Sequence, residues 1–263
     1  MRKIVNSMVV YTFGNSKNQP IIFVHGFPFD HNMWHNQISQ LQKDYYCISY
    51  DIRGLGESYV GDGQYTMEAY VDDLFSIIDK LGIQKPVLCG LSMGGYIILR
   101  AAEKSPESFM GLILCSTRAE ADDDKGKLGR ADKINQINVE GLEKFANEFV
   151  ANLFAEETVK NKSKLFYEII NSVKQNNPLG VKGALIAMLC RTSTVKFLRK
   201  IKIPVLLIAG SLDKLISPKM MKAMADKINE SEFAITPRAG HMTALENPGF
   251  VNDVIKGFLK RRI

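Results

Sequence analysis

The stretch that most constrains this chain runs from Pro86 to Arg100, PVLCGLSMGGYIILR. Val87, Leu88 and Cys89 form a short apolar run, which reads as a buried strand. Gly90-Leu91-Ser92-Met93-Gly94 follows and fits G-x-S-x-G, and Gly95 to Leu99 continue as the start of an apolar helix. Strand, sharp turn, serine, helix is the context that a nucleophile elbow requires. The glycines have a physical reason. Ser92 must sit at a strained backbone position, and Gly90 and Gly94, lacking Cβ atoms, let strand and helix approach closely. The hydroxyl then stands at the positive end of a helix dipole. A pentapeptide of this kind recurs by chance, so the rest of the chain has to supply a base, an acid and an oxyanion hole.

The flanking sequence places this turn in an α/β chain. Met8–Phe13 and Ile21–Val24 read as strands joined as an early hairpin through the turn-rich GNSKNQP. Tyr46–Tyr50 is the next strand. Thr66 is positioned to cap a helix whose Tyr70, Leu74, Ile77, Ile78 and Leu81 share one face, and Gly82 ends it. Gly111–Cys115, Pro204–Ala209 and Phe233–Ile235 are further strands, a helix is expected around Pro218–Ile228, and an amphipathic helix with Phe250, Val254, Ile255, Phe258 and Leu259 closes the chain. Strands alternating with helices predict a mostly parallel, doubly wound sheet, with ligands at the carboxyl ends of the strands.

The rhythm breaks between Arg118 and Leu198, where only helical stripes occur: Leu142, Phe145, Ala146, Phe149, Val150, Leu153 and Phe154; Ile169, Ile170 and Val173; Val181, Ala184, Leu185, Met188 and Leu189. A helical cap over residues 118–198, inserted into a core of residues 1–117 and 199–263, is the expected organisation. AEADDDKGKLGR, residues 119–130, reads as a mobile polar connector or hinge.

Charge and cysteine usage narrow the function classes. The formal net charge is +6, but Lys and Arg are scattered among acids with no basic stripe interleaved with aromatics, so a solvated surface is expected and not a nucleic-acid footprint. Lys260, Arg261 and Arg262 suit a helix C-terminus. No segment approaches about 18 uninterrupted apolar residues, so no membrane span is expected. The opening MRKIVNSMVVYTFGNS lacks a sustained apolar h-region. With Cys47, Cys89 and Cys115 in core-like runs and no CxxC pair, free thiols and a cytoplasmic location are expected.

Five short segments, each after an expected strand, carry a resemblance. They are His25-Gly26, Asp51-Ile52-Arg53-Gly54-Leu55-Gly56-Glu57-Ser58, Gly90-Leu91-Ser92-Met93-Gly94-Gly95, Gly210-Ser211-Leu212-Asp213 and Gly240-His241. Together they resemble the α/β-hydrolase superfamily along nearly the whole chain, in its Ser, Asp, His order. The resemblance implies a triad of Ser92, Asp213 and His241. A serine hydroxyl needs a base, histidine is the side chain suited to moving a proton near pH 7, which makes His241 the base candidate, and Asp213 would fix its tautomer. The oxyanion hole would be the backbone N–H groups of Phe27 and Met93. Glu120 and Asp122 are rival acids, set aside because Ser116 and Thr117 stand nearer the preceding strand.

The other histidines and the pocket are read in the same way. His25 is expected to brace the oxyanion loop, and Asp51 and Arg53 to organise their turn. His31 and His35 have i, i+4 spacing but lack the glutamate of H-E-x-x-H, so no metal is expected, and no cofactor is required. Pro28, Trp34, Phe145 and Phe149 are the pocket candidates, Trp34 being better suited to core packing. Pro28 would hold Phe27 extended and its N–H preorganised. Ser92 at the elbow disfavours the aspartate chemistry of haloalkane dehalogenases and epoxide hydrolases. The resemblance is to carboxylesterases and 3-oxoadipate enol-lactonases, which implies a small-molecule ester or lactone substrate. Carbon–carbon bond hydrolysis, cofactor-free perhydrolysis and a ligand receptor on a hydrolase scaffold are the alternatives.

Overall fold

The structure, a computed structural model, describes residues 1–161 and 163–263. In chain order the elements are β1 (Arg2–Val5), β2 (Met8–Phe13), β3 (Pro20–Val24), α1 (His35–Leu41), β4 (Tyr46–Tyr50), α2 (Met67–Lys80), β5 (Val87–Leu91), α3 (Met93–Lys104) and β6 (Gly111–Cys115). Then come α4 (Asp124–Ala151), α5 (Glu156–Asn161), α6 (Ser163–Lys174), α7 (Pro178–Cys190) and α8 (Val195–Leu198), before β7 (Val205–Gly210), α9 (Pro218–Ala225), β8 (Ser231–Thr236), α10 (Thr243–Glu246) and α11 (Pro248–Arg262). The strands form an eight-stranded sheet in the order β1-β2-β4-β3-β5-β6-β7-β8. From β4 to β8 every pairing is parallel, and only β1–β2 and β2–β4 are antiparallel.

The expected hairpin of Met8–Phe13 with Ile21–Val24 does not form. β2 turns back on β1 through Asn6 and Ser7, both at positive φ, and β3 lies inside the sheet between β4 and β5. The reason is burial. Ile21 to Val24 are all buried, as an inner parallel strand flanked by helices on both faces must be. β1 is a mostly exposed edge strand whose residues carry little apolar signal.

Period-two alternation divides the core between the two faces. Ile22, Val24, Ile48, Leu88, Leu112 and Leu207 pack with α2 and α3 on one face. Ile21, Phe23, Cys47, Cys89, Ile113 and Leu206 pack with α1 and α11 on the other. Burial pushes the Cys47 thiol up to about 12, and Cys47, Cys89 and Cys115 are free and buried while Cys190 is exposed.

Between β6 and β7 the chain is helical, and Gly141, at φ 86 and ψ 162, breaks α4 into two arms. The polar run 119–130 is not the fully solvated segment its composition suggests. Asp122 is buried and pairs with Arg118, Arg130 and Arg191, the last at 2.9 Å. Burial would raise its pKa, but the hydrogen bonds from Arg191 and Arg130 outweigh that and hold the carboxyl well below the usual carboxylate range. Arg191 in turn stacks on Tyr96 of α3, with its guanidinium carbon 4.2 Å from the ring centroid. α4 starts immediately afterwards, capped by Asp123. Among the described residues, no helix is long and apolar enough to cross a membrane.

Candidate active site

The turn between β5 and α3 puts Ser92 at φ 52 and ψ −111, a conformation an L-residue adopts only when its surroundings impose it. The surroundings do so through close packing. A Cβ on Gly90 would lie 2.6 Å from the Gly94 carbonyl carbon, and one on Gly94 would lie 2.2 Å from the Val24 oxygen. Hydrogen bonds fix the backbone: Ser92 N–H donates to the Cys115 carbonyl at 2.9 Å, and the Thr117 hydroxyl donates to the Ser92 carbonyl at 2.8 Å. The Ser92 side chain does not cap α3, so the helix makes no use of the hydroxyl.

Asp213 and His241 follow β7 and β8, and both are buried. The imidazole Nδ1 lies 2.8 Å from Asp213 Oδ2. The other carboxylate oxygen accepts from the backbone N–H groups of Leu215 at 2.8 Å and Ile216 at 2.9 Å, which fixes the carboxylate plane. A proton on Nδ1 donates to Asp213 and leaves Nε2 as the acceptor nitrogen. The two loops interlock, since a Cβ on Gly210 would sit 1.8 Å from the Gly240 oxygen.

The loop after β3 closes over the elbow. A Cβ on Gly26 would lie 3.7 Å from Ser92 Cβ. His25 is fully buried, with Nδ1 2.9 Å from the Gly26 carbonyl and Nε2 accepting from the Ile52 N–H at 2.9 Å. Burial pushes its pKa down, so it is a neutral brace joining the loops after β3 and β4. The Phe27-Pro28 peptide is cis, which the sequence did not signal, and the Pro28 carbonyl accepts from Asn176 Nδ2 at 2.9 Å.

The pocket candidates separate into two groups. Phe27, Met93 and Phe145 share one apolar cluster, with Phe149 packed against it. The Phe27 ring centroid lies 6.3 Å from that of Phe145 and 5.4 Å from that of Phe149, and the last two rings stack at 5.1 Å. A cavity of about 420 Å³ lies between the arms of α4, lined by Asp132, Lys133 and Gln136 of one arm and by Phe145, Glu148 and Phe149 of the other. Trp34 belongs to the opposite core: it is fully buried, with its ring 5.4 Å from Phe23. Its indole is packing, as the alternative sequence reading allowed.

The remaining polar candidates have structural occupations. Arg53 forms two hydrogen bonds to Asp73, at 2.9 and 2.7 Å. Glu120 is exposed and Asp122 is held by arginines, so neither rival acid approaches His241 in the way Asp213 does. His35 is exposed on α1 and does not join His31. The ligand atoms of Asp30, His31 and Asp51 do lie within 4.8 Å of one another. Each is already engaged, Asp51 with His31 at 2.7 Å and Asp30 with the Asn32 N–H and the Ser172 hydroxyl. Sequence reasoning missed Glu246, a buried carboxylate just beyond His241, and nothing in its local sequence could have announced its partners.

With this geometry described, known proteins can be compared. The model of the family described as alpha/beta hydrolase fold matches residues 19–248. The chain belongs to the α/β-hydrolase family. An esterase from Thermogutta terrifontis, solved with malate bound, is 34% identical, with a TM-score of 0.94 covering 99% of this chain and 98% of that one. The 3-oxoadipate enol-lactonase 2 of Acinetobacter baylyi is 26% identical over 250 residues, 95% of this chain and 92% of that protein. The fold is also shared with the enol-lactonase of Burkholderia xenovorans, at a TM-score of 0.91 and 22% identity over 99% of this chain and 100% of that one.

Proposed function

We propose that this α/β-hydrolase is a serine hydrolase that cleaves carboxylic esters or lactones through an acyl-enzyme. The observation that carries this reading is the buried Asp213–His241 pair at 2.8 Å, at the same sheet end as the strained Ser92. Ser92 Oγ attacks the substrate carbonyl while His241 Nε2 takes its proton. The carbonyl electron pair moves to oxygen, and the backbone N–H groups of Phe27 and Met93 stabilise the oxyanion. Collapse returns the pair, breaks the bond to the leaving oxygen and passes the His241 proton to it; a lactone ring opens at this step. Water, activated by the same base, then releases the acid and restores Ser92. The kinship with an esterase at 34% identity and with an enol-lactonase supports this choice of bond.

Residues 118–198 act in this reading as a cap. Phe145 and Phe149 reach from it to Phe27, so the acyl group meets an apolar wall formed partly by the cap. Short and medium acyl groups suit a wall of packed aromatic rings. The test is turnover of p-nitrophenyl esters by wild type and Ser92→Ala. Wild type is expected to favour acetate or butyrate over long chains, and Ser92→Ala to lose turnover while keeping its circular dichroism and melting temperature. Near-full activity in Ser92→Ala overturns the reading, and a maximum at long chains overturns the acyl preference.

A further inference from the structure

The turn between α4 and α5 lies against the loop that carries His241. The His241 backbone N–H donates to the Leu153 carbonyl at 2.8 Å, and a Cβ on Gly240 would lie 2.7 Å from the Ala155 nitrogen. Glu246, buried in α10, closes the contact. Its Oε2 accepts from the Ala155 N–H and from the Thr158 hydroxyl, each at 2.8 Å. Its Oε1 accepts from the Met242 N–H, the residue next to His241, at 3.2 Å. One carboxylate therefore holds the histidine loop with one oxygen and the cap-side turn with the other.

We propose that Glu246 is a positioning residue for His241, acting as a clamp between the α4–α5 turn and the histidine loop. The proposal rests on the reading of His241 as the base. Asp213 fixes the imidazole at Nδ1 but does not fix the backbone from which the ring hangs. A loop backbone is soft unless its polar groups are tied down. Here the N–H groups of both His241 and Met242 are tied, one directly to the turn and one through Glu246. Burying a carboxylate is costly unless donors satisfy it, and the three donors named come from both sides of the contact. The clamp makes the base's position depend on the seating of the cap-side turn, so an altered turn reaches the proton-transfer geometry without touching substrate.

The test uses the full chain with Glu246→Ala, Glu246→Gln, Thr158→Val and His241→Ala. It measures kcat and KM on p-nitrophenyl acetate well below the melting temperature of each variant. Since a misplacement of about 1 Å can cost 100-fold in rate, Glu246→Ala is expected to lower kcat about 10- to 100-fold with KM changed by less than about threefold. Glutamine keeps one acceptor oxygen and is expected to restore part of kcat. Thr158→Val removes one bond at the far side and is expected to cost about two- to threefold in kcat. A purely structural cross-link would lower the melting temperatures and leave kcat per folded molecule at the wild-type value. If Glu246→Gln and Thr158→Val both turn over at wild-type kcat, the clamp is overturned, and these two variants decide the matter should Glu246→Ala not fold. His241→Ala separates the two levels: if it keeps its activity the base assignment itself fails, whereas an inert His241→Ala beside Glu246→Gln and Thr158→Val at wild-type kcat overturns the clamp alone.

Discussion

Two carboxylate–histidine pairs sit at the carboxyl edge of the sheet. His241 and Asp213 are 2.8 Å apart, His31 and Asp51 2.7 Å, and both carboxylates are buried. Each aspartate also accepts backbone N–H groups, Asp213 from Leu215 and Ile216, Asp51 from His31 and Glu57. Their surroundings differ. His31 stacks on Tyr11 of β2 at 3.7 Å between centroids, and β4 and β3 separate β2 from β5, which carries Ser92. Asp51 is enclosed by its own turn, for a Cβ on Gly56 would lie 2.4 Å from its carboxyl carbon. The hydrogen bond is the same in both pairs. The difference teaches that position relative to the elbow, and not the pair itself, marks a candidate base.

The comparison breaks most readily at the histidines. His241→Ala is expected to lower kcat by at least about a thousandfold, since removing one member of such a triad costs nearly as much as removing all. His31→Ala should stay within about twofold of wild type, because it loses a ring stacked on Tyr11 of β2 and a hydrogen bond to Asp51, and neither partner touches Ser92 or His241. Equal losses in the two variants would erase the distinction. The aspartates sharpen it. Asp213→Asn keeps the shape but no longer accepts the imidazole proton well, so kcat should fall about 10³- to 10⁴-fold with the melting temperature little changed. Asp51→Asn should show the reverse pattern: it leaves one buried donor short of an acceptor and costs about 1–3 kcal/mol of stability with turnover retained. Denaturant melts and ester assays on the two variants read both columns.

The elbow was legible in sequence because its strand-turn-helix pattern is local and Gly90 packs against Gly94, although Gly94 also meets the Val24 oxygen of β3. Asp213 and His241 were read as loop residues after two late strands, and the structure puts their side chains 2.8 Å apart in the loops after β7 and β8. What failed was long in range. Asp122 looked like part of a solvated polar run, but its charge is balanced by Arg191, 69 residues further on, and a run of aspartates reads identically in either setting. β1 escaped notice because an exposed edge strand needs no apolar pattern, and so β2 was given the wrong partner. Two of the donors to Glu246 are a backbone N–H and a hydroxyl some 90 residues earlier, which leave no mark in sequence around it. The i, i+4 spacing of His31 and His35 carried no information about His31's partner, Asp51, which lies on the loop after β4.

The smallest effect concerns acid. The Asp51 carboxyl titrates below its ordinary value of 3.8: burial alone would raise it, but the hydrogen bonds from His31 and the Glu57 N–H outweigh burial. In the unfolded chain Asp51 therefore takes up its proton at a higher pH than in the folded protein. Over that window the unfolded state binds more protons, so stability rises with pH. The contribution is fully present above about pH 4 and is lost as pH falls through the lowered folded value. Asp51→Asn has no proton to exchange there. Its urea midpoint, measured from pH 5 to pH 3, should decline less steeply than that of wild type, while the two curves run parallel above pH 5. Identical slopes would mean that the ionised form of Asp51 gains nothing from its histidine in the folded protein, and the likeness between the two pairs would then stop at geometry.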